Sequence, residues 1–599
     1  MSKGSCGRLC TFSFFLSVPL LVLSMSGCGS SQPPMPISVA ISPQAVAIAT
    51  GQTTQLTATV TSDSTGVNWS ATAGSIDANG NYTAPSGSQS ATVLITATSK
   101  RDPTKTATAT VNVVAPGQVS PTANVQVALY SISPVASANV SVQFGVDTNY
   151  GLTTWTQATP SGGGAVSLFV AGMKANTLYH LRGVVAFSDG SQYMDADLTF
   201  TTGAIPAAEM PVISTTTTDG MTPQSGVELL DLVAGTGSAS PLVVTDLNGN
   251  ILWSYHPALP GLIANPIKLL PNGHFLVNFS ATGPDGKSSV LQEVDLTGAL
   301  VWQMTHAELQ TALKSATCGG DGCDLSNFTF LGTHHDFQLL PNGHLIVLGS
   351  VQSTQVVPGT IVTGDVVIDL DQNHKPVWLW NAFNHLDINR RPMQFPDWTH
   401  SNAVIFSADD GNLIISVRHQ NWLLKLDYNN GAGTANIIWK LGYQGDFALA
   451  GGTDPTDWFY AQHGPSFATT NTTGQFSLIL FDNGNDRVFP AGVTCGTPGA
   501  PPCTYSTVPL LQIDETAKTA TIAFHPDAKM PFSNFGGNAA VLKSGSVEYC
   551  ESAGGPGVAG QVYEVTQDNS AQVIWNMVIT GQFAYRGQRI PSLYPGVQW

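Results

Sequence analysis

From about residue 205 onward, apolar and polar positions alternate in short runs that recur as one hairpin. Each copy is an apolar strand, a polar turn often carrying Asp, and a second apolar strand ending in Trp or Phe. The copies run from Val243 to Trp253, Leu291 to Trp302, Val366 to Trp378, Leu423 to Trp439, Leu510 to Phe524 and Val562 to Trp575. Before most of them lies another hairpin with glycine at its turn: Gly273, Gly343, Gly411, Gly474 and Gly545. Two hairpins make four strands, and the unit recurs at about 50 to 85 residues. Irregular spacing of a four-stranded unit predicts propeller blades with loop insertions rather than a solenoid, which needs a fixed short period. Six Trp/Phe hairpins predict six blades. The expected fold is all-β, with a six-bladed β-propeller over 205–599.

Two shorter β-patterned regions precede it. Over 37–115 the stretches Val67-Asn68-Trp69-Ser70 and Asn79-Gly80-Asn81-Tyr82 resemble a bacterial immunoglobulin-like sandwich, with Trp69 expected on a central core strand and Asn-Gly at a turn. Ala115-Pro116-Gly117 marks the boundary. Over 118–203 the stretch Leu178 to Val184 resembles a late strand of a fibronectin type III domain, which makes His180 a partly exposed strand residue. Both are predicted as small β-sandwich domains.

Composition narrows the class. Only 10% of the 599 residues are charged, the net charge is −17 and the pI about 5.0. No basic run follows residue 10, so nucleic acid is not an expected partner. An anionic ligand must be held by local positive groups. Lys3 and Arg8 precede an apolar stretch from Thr11 to Met25, the length of a signal peptide and short for a membrane span. It ends Met25-Ser26-Gly27-Cys28, which resembles a bacterial lipoprotein cleavage site. Residues 1–28 then form a signal peptide, Cys28 the lipidated first residue, and 29–36 a flexible tether. The alternative is an ordinary signal peptide with an incidental cysteine. Either way the chain is expected to be exported, periplasmic or anchored to the outer membrane, touching membrane only through the lipid. The pairs Cys318/Cys323 and Cys495/Cys503 sit in Gly/Pro-rich loops, so local disulfides are predicted. Neither spacing is a zinc pattern, and Cys550 is left over and expected buried.

The repeat isolates the candidate chemistry. Leu269 to His274 and Leu339 to His344 are both Leu-Leu-Pro-Asn-Gly-His. Eight residues before the turn glycine stand Asn265 in one copy and His335 in the other. In the next three units the turn is three residues longer, and eleven residues back stand His400, His463 and Asn534. One repeat phase thus carries His or Asn, expected just before the innermost strand, where a propeller directs side chains to the central channel. A lone polar residue there is usually a cap; three imidazoles at one phase predict a shared site. His334 remains an alternative to His335. His274 and His344, directly after the turn glycine, read as a blade-edge feature. Asn402 lies two residues after His400, on the same side of an extended segment. Arg418 lies at the far end of that hairpin, beside His400. A permanent cation among imidazoles disfavours a metal and favours an anion with several oxygens.

Thr333 to Val347, Thr399-His400-Ser401-Asn402, Ser416 to Trp422, Ala461-Gln462-His463-Gly464-Pro465, Phe481-Asp482-Asn483-Gly484 and Ala584 to Ile590 together resemble the bacterial arylsulfate sulfotransferase family. The similarity covers roughly 205–599 and is specific as an ordered set. It implies a periplasmic propeller that moves a sulfuryl group from a phenolic sulfate donor to a phenolic acceptor, with no nucleotide sulfate donor, metal or other cofactor. It places the sulfated histidine on His463, surrounded by His335, His400, Asn402 and Arg418, with Arg586 and His334 as substrate contacts. The two N-terminal sandwiches and the lipid anchor depart from the family pattern.

The chemistry is intelligible by itself. A neutral imidazole nitrogen can carry the group between two substrates, while Arg418 and the other imidazoles stabilise its oxygens and handle the phenolic proton. The local sequence suggests an open ring for His463, followed by Gly464 and Pro465, and rings held by Asp336 for His335 and by Asn402 for His400. Competing readings fare less well. An arylsulfatase needs a Cys/Ser-x-Pro-x-Arg stretch, which is absent. Arg418 opposes a metal-dependent hydrolase. A surface adhesin gives no reason for histidine at one repeat phase.

Overall fold

The computed structural model describes residues 35–599 except 207–209, 235–240, 258, 260, 282–288, 490–502, 527–529 and 553–559. The signal peptide, Cys28, most of the tether and Cys495 therefore lie outside the described residues. The chain divides into two compact units.

The first unit comprises the described part of Met1–Gln44, with Thr54–Thr83 and Leu94–Thr110. Its strand Ser38–Ser42 pairs antiparallel with Thr57–Thr61, and Val67–Ala71 pairs with residues 95–99. Ile41, Leu56, Tyr82, Ile95, Ala97 and Ala109 are its buried apolar residues among those described. Trp69 is not in that core. It is half-buried on Val67–Ala71 and covers the turn at Gly80, whose φ of +86 places it in the left-handed region. The turn leaves no room there for a side chain, so the indole acts as a lid over it.

The second unit comprises Ala45–Thr53, Ala84–Val93 and Val111–Trp599. Within it, Gln118–Pro121, Ala128–Ile132 and Val166–Val170 form one sheet of a sandwich, and a second sheet is built on Ala138–Gly145 and Leu178–Phe187. His180 pairs with Asp197 at 2.7 Å on that sheet. This sandwich shares a core with the propeller. Val127 and Ala171 are buried with Trp253, Phe275 and Tyr594, the Tyr594 hydroxyl donates to Phe169 O at 2.7 Å, and the Trp599 indole N–H donates to Thr153 O at 2.9 Å. It is built onto the propeller through this common core rather than standing off as a loose stalk.

The remainder is a propeller of six blades among the described residues, each built on four antiparallel strands, three of them with a fifth strand added at the outer edge. Blades two to six run in chain order. Their innermost strands are Leu262–Leu269, Thr329–Leu339, Ser401–Ser407, His463–Thr472 and Asn538–Val541. The five hairpin glycines lie at the turns after these strands, all with φ between +70 and +89. Blade one consists of Val227–Ala234, Leu242–Thr245 and Ile251–Tyr255, and takes its innermost strand from the far end of the chain, Gln582–Ile590. In return Val212–Thr217 adds an outer strand to blade six. The ring is closed twice, by hydrogen-bonded strands at each seam.

The Trp hairpins show why the repeat needs its aromatic residue. Each indole reaches the matching turn of the next blade. Trp253 Nε1–H donates to Leu296 O, Trp378 to Gly433 O and Trp439 to Glu515 Oε1. Trp575 of blade six reaches Leu247 of blade one at 2.9 Å, and Trp302 stacks on His374 at 3.8 Å. A large apolar body fills the wedge between blades while its one donor finds a carbonyl or carboxylate. His274 and His344 are the expected edge feature, paired with Glu293 and Asp369 of their own blades. Cys318 and Cys323 form a disulfide and Cys503 is also disulfide-bonded; Cys550 is buried and free.

Candidate active site

The innermost strands of several blades converge on a cavity of about 550 Å³ whose wall includes His335, His400, Arg418, His463 and Tyr585. The repeat phase therefore gathers what it was expected to gather, with one difference in backbone detail. His400 precedes its strand and His463 begins one, but Asn265 and His335 lie inside longer strands, at register breaks between Ala264 and Ile267 and between Thr333 and Phe337. Extra residues at these breaks bulge from the ladder and turn their side chains to the channel. His335 and His400 take left-handed backbone, φ +57 and +51, a conformation costing roughly 1 kcal/mol or more in a non-glycine residue. Asn534 contributes its carbonyl to Arg418.

His463 is 2% exposed. Its ring is enclosed, not open as Gly464-Pro465 suggested, because residues of blade six fold over it. Its tautomer follows from the network. Asn483 Nδ2 donates to Ser533 O at 2.8 Å and Gly536 O at 3.0 Å, so its amide oxygen faces His463 Nδ1, 2.6 Å away. Nδ1 carries the proton and Nε2 the lone pair, which also accepts the Gly536 N–H at 3.3 Å. Burial, then the Arg418 charge, lowers its pKa well below the ordinary 6.5 despite the bond to Asn483. The imidazole is neutral, with its lone pair on Nε2.

The other two imidazoles are held by groups different from those expected. His335 Nδ1 lies 2.7 Å from His334 Nδ1, and His334 Nε2 lies 3.2 Å from Asp365. His400 Nδ1 lies 2.5 Å from Asp397. Asp336 cannot serve His335, since it is spent on Lys268 at 2.7 Å, Arg586 at 3.3 Å and the Val404 N–H at 3.0 Å. Asn402 does not hold His400. It is fully buried and donates to Gln462 O at 2.7 Å, bracing the residue before His463. Arg586 likewise acts on the backbone, donating to His335 O at 3.3 Å and Asn402 O at 2.7 Å. It ties blades three and four to the closing strand.

Arg418 donates to Asn534 O at 3.0 Å and faces His419 Nε2 at 2.5 Å. Its Nε–H is buried with no hydrogen-bond partner among the described residues, a donor left for something in the cavity. The Tyr585 hydroxyl is unpartnered in the same sense. Its ring stands edge-on to His463 at 6.1 Å and to His335 at 5.9 Å, and burial raises its pKa to about 12. Asp397, His400 and His419 bring ligand atoms within 4.8 Å of one another. His419 has both ring nitrogens engaged: Nδ1–H donates to Asp397 O at 2.7 Å, and the other faces the Arg418 guanidinium. The trio is a hydrogen-bonded brace, and the permanent cation beside it disfavours a metal. Burial alone would raise the Asp397 carboxyl, yet the charge and hydrogen bond of His400, with His419, hold it well below its ordinary value.

Asp365, Asp397, His419, Asn483 and Tyr585 were not singled out from the sequence. The three last lie in the stretches that carry the family resemblance, but none shares the repeat phase of the histidines.

A family model described as Arylsulfotransferase (ASST) matches residues 192–586, well over half of the chain. No curated protein matches it. Among solved structures, a protein from Lactobacillus plantarum is 10% identical, with a TM-score of 0.31 over 76% of this chain and 99% of that one. A member of the duf4221 family from Bacteroides vulgatus is 9% identical, with a TM-score of 0.28 over 64% and 99%.

Proposed function

The chain belongs to the arylsulfotransferase (ASST) family, and from that premise we propose that it transfers a sulfuryl group between phenols in two steps through His463. The observation that carries this reading is the single arrangement of His463: buried, neutral, its Nε2 lone pair assigned by Asn483, next to an arginine with an unspent N–H. In the first step Nε2 attacks sulfur, the S–O(aryl) bond breaks and the phenolate leaves. In the second the acceptor oxygen attacks, the N–S bond breaks and its electron pair returns to Nε2. Arg418 offers a donor where the sulfuryl oxygens would sit and charge develops, and the His335 and His400 rings line the same cavity.

The test uses 4-nitrophenyl sulfate with and without added phenol. Sustained release of 4-nitrophenolate is expected only with phenol, accompanied by phenyl sulfate. Release at the same rate without phenol indicates a sulfatase and overturns the reading. We also propose export with a lipid on Cys28; the Cys318–Cys323 disulfide suits an oxidising compartment. Mass spectrometry of the mature N-terminus is expected to find a diacylated or triacylated Cys28, and an unmodified chain beginning elsewhere would refute the anchor.

A further inference from the structure

Asp365 is a buried carboxylate on Val362–Leu370 to which the reaction outlined above gives no part. Every contact it makes is with a donor. Thr399 Oγ1 at 2.6 Å and Ser401 N at 2.5 Å reach Oδ2; Ser350 Oγ at 3.1 Å and His334 Nε2 at 3.2 Å reach Oδ1. Burial opposes its charge, but His334 and Thr399 hold its pKa below the ordinary value, so it is an anion. Thr399 and Ser401 flank His400. One carboxylate thus holds the residues on both sides of one cavity-lining histidine, Thr399 by its hydroxyl and Ser401 by its backbone N–H, and faces the neighbour of another.

The second grip decides a tautomer. A carboxylate can only accept, so the His334 nitrogen beside it carries the proton. The approach lies off the line of an ideal hydrogen bond, but a lone pair aimed at the anion would be repelled. With that ring carrying a single proton, its lone pair is on Nδ1, and His335 Nδ1, 2.7 Å away, donates to it. The lone pair of His335 is left on Nε2, on a ring that lines the cavity.

We propose that Asp365 and His334 are positioning residues that hold His335 as the proton acceptor for the incoming phenol; this rests on the sulfuryl-transfer reading. As the phenol oxygen bonds to sulfur and the His463 N–S bond breaks, the phenolic proton passes to His335 Nε2. The new positive charge is shared through Nδ1–H with His334 and stabilised by Asp365. This anion is needed because the rest of the surroundings oppose that charge. Burial, then His400, lower the pKa of His335, as do His463 and Arg586; His334 adds to this only when it is itself protonated. The His400 ring is 4.6 Å away and Tyr585 5.9 Å, while the adjacent Asp336 is committed to Lys268 and Arg586.

The two half-reactions separate a proton-transfer role from a merely structural one. 4-Nitrophenolate leaves without a proton, whereas phenol must lose one. Rapid-mixing kinetics with 4-nitrophenyl sulfate give the donor step as a burst, and transfer to phenol gives the acceptor step. His334→Ala and Asp365→Asn are expected to slow the acceptor step about 100-fold, the range of general-base assistance, and the burst less than tenfold. The deficit should shrink as pH rises toward about 10, where phenol ionises by itself. His334→Gln, whose amide oxygen can still accept from His335 Nδ1, should recover part of the loss. If Asp365→Asn loosens the Thr399–Ser401 segment and fails to fold, the two His334 variants still decide. Equal loss in both steps, a deficit independent of pH, or an unimpaired His334→Ala overturns the proposal. A wild-type protein that shows no phenol-dependent release instead overturns the sulfuryl-transfer reading beneath it.

Discussion

His463→Ala is expected to lose sulfuryl transfer almost completely, by about ten-thousandfold or more in kcat, because removing a covalent carrier closes the two-step route. His335→Ala and His400→Ala should cost less, since each leaves the carrier in place. The direct observation is a proteolytic peptide containing Gln462-His463-Gly464 that gains a sulfuryl group after exposure to donor without acceptor, quenched in alkali to protect the N–S bond. A sulfuryl group on His335 or His400, or intact transfer with no covalent species, would sink the assignment. The depressed pKa of His463 adds a pH signature. The neutral form is the nucleophile, and lowering its pKa extends that form to lower pH. The donor burst should therefore show no loss from His463 protonation as pH falls through 6.5, the ordinary histidine value. A burst that titrates away at that pH would show a solvent-exposed imidazole.

Arg418→Ala is expected to lower kcat and kcat/KM together by about 100- to 1,000-fold, the usual effect of deleting one donor aimed at developing charge. The geometry explains why lysine should not replace it well. The guanidinium spans Asn534 O on blade six and His419 on its own blade, and still has an Nε–H to offer. An ammonium is a point charge and cannot hold the two anchors while pointing a third donor into the cavity. Arg418→Lys should thus keep only a minor part of the rate, and added guanidinium should partly rescue Arg418→Ala. A variant with raised KM and unchanged kcat would mean that Arg418 binds donor and transition state equally. The argument for the reaction's charge stabilisation would then have to rest on the imidazoles alone.

The repeat written in the chain was enough to determine the blade count, the hairpin glycines and the phase that delivers His335, His400 and His463 to one cavity. Those properties are periodic along a strand, and periodicity survives in one dimension. It also put Arg418 beside His400, because a hairpin returns its far end to its start. The partners of each ring were a different matter. Neighbours in sequence, Asp336 and Asn402, looked like the holders of His335 and His400, yet Asp336 is held by Lys268, Arg586 and the Val404 N–H, while the left-handed backbone at His400 breaks the alternation that would have set Asn402 beside it and Asn402 braces Gln462 instead. The rings are oriented by His334 with Asp365, by Asp397, and by Asn483, itself aligned by Ser533 and Gly536 of a separate segment. Arg586 reads alone as a substrate cation. Only ring closure brings it under blades three and four, 251 and 184 residues away in sequence, where it meets two carbonyls and Asp336 and keeps an Nε–H without a partner among the described residues. Spacing in the chain therefore determined which side chains arrive at the channel. Their tautomers and their freedom to react were decided by hydrogen bonds to Asp365, Asp397 and Asn483, whose approach depends on how each blade and its loops fold and leaves no periodic trace.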